Sequence, residues 1–145
     1  QDSRVINMEK QNIRTVTAEQ IGELVDFISI DVAFISLDKV LPVATNLLKD
    51  TGSLVALIKP QFEAGKENVG KGGIVRDSEI HKEVLHRILH VAYDCGLYTH
   101  GLTFSPIKGM EGNIEFLGYF KKYEEGALTI DDALIDTVVA EAHSL

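Results

Sequence analysis

Apolar runs of strand length and apolar residues at helical spacing take turns along this chain, and that alternation restricts the fold more than any other feature. Leu54-Val55-Ala56-Leu57-Ile58 reads as a buried strand. Before it, Val40, Leu41, Ala44, Leu47 and Leu48 recur at helical spacing, and after it so do Ile80, Val84, Leu85, Ile88, Leu89 and Ala92. The first of these helices tolerates Pro42 in its first turn and places Gly52 at its C′ position. Asp77 or Ser78 caps the second, and Gly96 ends it. Arg4 to Met8, closed by Glu9, and Asp26 to Asp31 extend the strand series. Between them Thr17-Ala18-Glu19-Gln20 has the form of a capping box and opens a short helix. Leu97–Phe104 and Ile114–Phe120 are strands with no helix between them, so one runs antiparallel. Thr129 starts a last helix through Leu134, Ile135, Val138 and Val139. The pattern predicts an α/β protein with a doubly wound, mostly parallel sheet.

A chain of 145 residues with 45% hydrophobic content can close one core. Its net charge of −8 argues against broad binding to phosphate backbones, while leaving room for a local basic patch. The single cysteine, Cys95, falls in a helical apolar pattern and reads as a core residue. No apolar run approaches the roughly 20 residues of a membrane span. Gln1 to Arg4 leads straight into a strand without a signal peptide, so the expectation is a cytoplasmic protein with no membrane partner. The histidines have no company that predicts a metal site.

Chemistry is expected where the central strand stops. Pro60 cannot donate to a ladder and holds the residue before it extended, so Lys59 sits at the strand's carboxyl end. In open α/β sheets ligands bind along that rim. Asp31 and Glu115 fall near the loop ends of two other strands, each among apolar neighbours where an unpaired charge is costly. The three invite mutual pairing, with carboxylates around a lysine that can receive or orient the proton of an attacking hydroxyl. Glu9 ends the first strand, where an acid either holds ribose hydroxyls or is simply solvated. From Lys59 to Arg76 the loop carries Lys66, Lys71 and Arg76 against Glu63 and Glu67; it either faces RNA or is solvated. His81, on the following helix, is expected to be exposed unless it partners this loop.

Four motifs occur in a shared order: Asp31-Val32-Ala33-Phe34-Ile35-Ser36-Leu37, Lys59-Pro60-Gln61-Phe62-Glu63, Val69-Gly70-Lys71-Gly72-Gly73 and Gly112-Asn113-Ile114-Glu115-Phe116. Together they resemble the TlyA-type branch of the FtsJ-like RNA 2′-O-methyltransferases, often labelled haemolysin A. The resemblance runs from the first strand to Phe120, with Ala33 where the family commonly has serine. It implies a Rossmann-like methyltransferase sheet, S-adenosylmethionine as cofactor and ribosomal RNA or a ribosomal subunit as partner. It also implies that Asp31, Lys59 and Glu115 match three members of a Lys-Asp-Lys-Glu tetrad. Glu9 would match the acid on the cofactor's ribose, with Asp31 beside it.

The family's first tetrad lysine and its glycine-rich cofactor loop lie upstream of the acid matched to Glu9, and so does an S4-type RNA-binding domain. The resemblance therefore implies that residues 1–145 are the carboxyl-terminal portion of the methyltransferase domain, with an incomplete cofactor site and weak or no activity alone. It implies too that a central strand belonging between the strands at Val5 and Asp31 is missing. A long helix or a swapped second copy, making a homodimer, would cover the open edge. The alternative is a noncatalytic RNA-binding or dimerisation module. An amino-methyltransferase is excluded because Lys59-Pro60-Gln61-Phe62 has neither the place nor the first residue of the Asn/Asp-Pro-Pro-aromatic motif. A nicotinamide dehydrogenase lacks its glycine fingerprint, and a lytic toxin lacks a span or a strongly basic amphipathic helix.

Overall fold

The computed structural model describes residues 5–9, 24–107 and 112–144. Its sheet has five strands: β1 (Val5–Glu9), β2 (Val25–Asp31), β3 (Leu48–Ile58), β4 (Tyr98–Phe104) and β5 (Phe116–Lys121). They lie in the order β1-β2-β3-β5-β4. β1, β2 and β3 pair in parallel, and β5 runs antiparallel between β3 and β4. The antiparallel strand expected from the adjacent pair is therefore β5. β1 pairs directly with β2, Met8 opposite Ile30 and Glu9 opposite Asp31, so no gap separates the two strands. The capping box at Thr17–Gln20 lies outside the described residues.

Among the described residues three α-helices accompany the sheet: α1 (Leu37–Leu47), α2 (Ser78–Asp94) and α3 (Asp132–His143). Each begins where a short side chain satisfies free backbone amides: Ser36 accepts from Asp38 N–H, Asp77 from Glu79 N–H and Asp131 from Leu134 N–H. The last helix is thus capped by Asp131 and starts at Asp132, not at Thr129. α1 starts at Leu37, which leaves Pro42 inside the helix and not in its first turn. Nor does Gly52 end that helix. It lies within β3, where an added Cβ would meet Leu48 Cδ1 at 2.5 Å.

All three helices share one apolar cluster with a single face of the sheet. Ile28, Ile30, Leu54, Ala56, Ile58, Phe116 and Phe120 supply the sheet side, Leu41, Leu47, Leu85, Ile88, Ile135 and Val139 the helical side. The ring of Phe120 lies over Gly118, where a Cβ would stand 2.7 Å from it. The opposite face, with Phe27, Val55, Leu57, Leu117 and Tyr119, is half-buried. Topology explains the asymmetry. The two described crossovers, from β2 through α1 to β3 and from β3 through α2 to β4, advance in the same direction across the sheet, and right-handed connections then put both helices on one side. No helix among the described residues is long and apolar enough to cross a membrane.

Candidate active-site rim

The residues singled out at strand ends converge on one rim. β2 ends at Asp31 and β3 at Ile58, so Lys59 follows directly beyond the sheet. Ile58 pairs with Phe116, which brings Glu115 to the same edge from the antiparallel strand. Lys59 Nζ stands 2.5 Å from Asp31 Oδ1, with the lysine side chain 16% exposed and the aspartate 47%. Glu115 is buried and does not bond Lys59; its Oε2 accepts from Gln61 Nε2 at 2.8 Å. The expected cluster of both carboxylates around the lysine is thus split into two bonded pairs, linked through the turn Pro60–Phe62. Glu9 meets Asp31 in backbone register at the same rim. Lys66 and Arg76 are exposed, and Lys71 lies in the turn Lys71–Gly73 of the same loop.

One carboxylate at this rim went unassigned by sequence reasoning. The Glu63 side chain is 2% exposed, and its carboxylate accepts from three donors. Ser36 Oγ donates to Oε1 at 2.6 Å, Leu37 N–H to Oε2 at 2.8 Å, and Arg87 Nη2 to Oε1 at 2.7 Å. Arg87 also donates to the Glu63 carbonyl at 2.9 Å. Glu63 therefore ties the loop after β3 to the start of α1 and the middle of α2. Its sequence signal was its place in the Lys59-Pro60-Gln61-Phe62-Glu63 motif, which read only as loop charge.

Phe34 was also missed. It is 82% exposed, adopts a left-handed φ of 66°, and its ring lies 4.8 Å from that of Phe62. A bulky side chain in that conformation is strained, and the surrounding loops must hold it there. The signal was an aromatic three residues beyond Asp31, in the segment from Val32 to Ser36 that read only as a loop.

The loop's far end is fixed from the core. Asn113, 1% exposed, accepts from Val75 N–H and donates to the Gly73 carbonyl. His81 is fully buried, contrary to the exposed position expected, and partners the loop as the alternative required. The Val75 carbonyl can only accept, so His81 Nε2 carries the proton and Nδ1 accepts from His143 Nε2 at 2.8 Å. Burial pushes the His81 pKa below its ordinary value.

The surface holds grooves elsewhere. One of about 350 Å³ is lined by Tyr93, Tyr98, Leu128 and Ile130, where β4 begins, at the opposite end of the sheet from Lys59. Among the described residues, no cluster of histidine, cysteine, aspartate or glutamate could hold a metal ion.

Comparison with known proteins bears on the family of the chain. Residues 1–122 match the family model described as FtsJ-like methyltransferase. A candidate rRNA methyltransferase of Bacillus subtilis, YqxC, is 46% identical over 99% of this chain and 52% of its own length. The 16S/23S rRNA (cytidine-2′-O)-methyltransferase TlyA of Mycobacterium tuberculosis is 35% identical over 92% of this chain and 51% of its own. A solved candidate hemolysin from Streptococcus thermophilus superposes with a TM-score of 0.85 at 46% identity, covering 99% of this chain and 52% of that one. The chain spans about half the length of the curated relatives it matches.

Proposed function

Because this chain belongs to the FtsJ-like methyltransferase family, we propose that it forms the catalytic rim of an S-adenosylmethionine-dependent enzyme that methylates a ribose 2′-hydroxyl of ribosomal RNA. The relatives named as rRNA methyltransferases support the substrate class. The observation that carries the reading is the Lys59–Asp31 pair, held at the carboxyl ends of two neighbouring parallel strands with the aspartate half open to water.

In this reading Lys59 orients the 2′-hydroxyl and, once its ammonium has passed a proton by way of the half-exposed Asp31 to water, takes up the proton that the hydroxyl gives up. Asp31 fixes the ammonium in place and answers its charge. Glu115, held by Gln61, fixes the other side of the rim. Holding the hydroxyl at a set position supplies much of the rate, because a two-body encounter becomes a reaction within one complex. S-adenosylmethionine, when bound, supplies the electrophilic methyl group. The donor set fits part of that cofactor: two acids, Glu9 and Asp31, meet in register at adjacent parallel strand ends, where carboxylates accept from ribose hydroxyls. The exposed ring of Phe34 offers a stacking surface for a base beside the rim. Lys66, Lys71 and Arg76 form the adjoining basic stretch, suited to phosphates in an otherwise acidic chain.

The test is transfer of labelled methyl groups from S-adenosylmethionine to ribosomal RNA by the full-length protein, wild type against Lys59→Ala. The variant should lose at least about 100-fold in rate, the range for removing a proton-transfer group. Full activity in Lys59→Ala would exclude the lysine from the chemistry.

A further inference from the structure

Val75 is the point through which the glycine-rich loop leaves for α2, and both of its backbone groups are gripped by buried side chains. Asn113 Oδ1 accepts from Val75 N–H at 2.9 Å, and Asn113 Nδ2 donates to the Gly73 carbonyl at 2.8 Å. His81 Nε2 donates to the Val75 carbonyl at 3.0 Å. An amide side chain alone combines an acceptor and a donor in one rigid fork, so no smaller polar residue reproduces both bonds. Asn113 also stands two residues before Glu115 in a segment whose Glu115 carbonyl accepts from Ser105 N–H. The same short stretch therefore fixes a rim carboxylate and the end of the loop bearing Lys66, Lys71 and Arg76. The loop needs such a grip. Its tip turns through Gly72 and Gly73, at φ 75° and 76°, conformations in which glycine is free to move between wells.

We propose that Asn113 is a positioning residue: by holding Gly73 and Val75 it sets where the basic loop stands against RNA relative to Glu115. This rests on the reading of the rim as an RNA methylation site, and it assigns to a residue outside the reacting groups the task of registering phosphate contacts with them.

The test is binding of transcribed ribosomal RNA to the full-length protein across a series of salt concentrations, for wild type, Arg76→Ala, Asn113→Ala and the double variant. The slope of log affinity against log salt counts the phosphates neutralised, so a stability defect alone leaves it unchanged. Asn113→Ala should weaken binding about tenfold and flatten the slope as Arg76→Ala does, and the double variant should be no weaker than Asn113→Ala. In methyl transfer it should raise the KM for RNA and leave that for S-adenosylmethionine unchanged. A folded Asn113→Ala protein with the wild-type slope, or with effects that add to those of Arg76→Ala, overturns the proposal. If Asn113→Ala does not fold, Gly73→Ala takes its place: that position is exposed with open space around a Cβ, but its left-handed φ strains any side chain. Gly73→Ala must then flatten the slope, and a wild-type slope overturns the proposal equally. A wild-type protein that binds RNA yet transfers no methyl groups would sink the methylation reading and leave the slope comparison standing. Normal methyl transfer with unchanged slopes would sink the role of Asn113 alone.

Discussion

Two ion pairs begin four residues apart on one loop and are built in opposite ways. Glu63 is buried, and its carboxylate takes donors from Ser36, Leu37 and Arg87, so it is committed to the protein and shut off from solvent. Lys59 and Asp31 are bonded to each other, but the aspartate is 47% exposed and both side chains reach the solvent side of the rim. A buried charge bonded in this way holds backbone segments together, because removing any partner strands the rest. A pair with spare hydrogen-bonding capacity at a strand end costs less to expose and can exchange partners with a substrate. The contrast separates the scaffold of this rim from its proposed chemistry.

The sharpest way to break that contrast is to remove charge from the open pair. Asp31→Asn should lower methyl transfer about 100-fold or more while costing only about 1 kcal/mol in unfolding free energy, since the aspartate is half exposed and an asparagine oxygen can still accept from the mostly buried Lys59. Single-turnover assays beside urea melts read both, and a variant that melts early but turns over normally would reverse the assignment. Glu63→Ala should do the opposite. We expect a loss of about 2–3 kcal/mol in urea unfolding, discounted from the usual cost of breaking a buried pair because Arg87 is 40% exposed. A wild-type midpoint for this variant would show that the buried carboxylate is not the scaffold.

Phe34→Ala sharpens the comparison from the side of the substrate. Its ring is exposed, so stability should move by no more than about 0.5 kcal/mol. RNA affinity should fall about tenfold if a base stacks there; an unchanged affinity in a gel-shift titration removes the ring from the interface.

The smallest effect concerns pH. The buried His81 binds its proton less readily in the folded protein than at its ordinary value of 6.5, through burial first and the nearby charge of His143 besides, while the Val75 carbonyl and Asp77 oppose the shift. The unfolded chain therefore takes up that proton first, and stability should be full above about pH 6.5 and decline as pH falls below it. Replacing His81 with Asn should flatten that decline in melts between pH 7.5 and 5.5, conditions on either side of the ordinary histidine range. A decline of unchanged slope would assign it to other groups.

Most of the sheet was legible from the chain. The runs at Val5, Asp26, Leu54, Leu97 and Ile114 all fall on strands, and the antiparallel member follows from two strands without a helix between them. Boundaries were less legible where a stronger local partner competed. Gly52 looked like a helix stop but serves close packing against Leu48 inside β3. Thr129 looked like a cap, yet Asp131 makes the bond. At the rim, Asp31, Lys59 and Glu115 could be named because each is an ionisable group beside apolar sequence at a strand end. Their pairing could not, since which carboxylate reaches the lysine depends on the turn at Pro60 and on Gln61 standing between them.

By itself, the order of residues determined the five strands of the sheet, the helices at Val40, Ile80 and Leu134 among the described residues, and that charges gather where the strands stop. Those outcomes rest on local propensity and on the cost of burying an unpaired charge, and both can be read from neighbours along the chain. Only the tertiary structure decided that Glu63 is scaffold, that His81 is core, that Phe34 is held in a strained turn and that Asn113 grips the loop. Each of those depends on a partner 24 to 62 positions away, whether Arg87 on Glu63 or His143 against His81, at separations that no local pattern encodes.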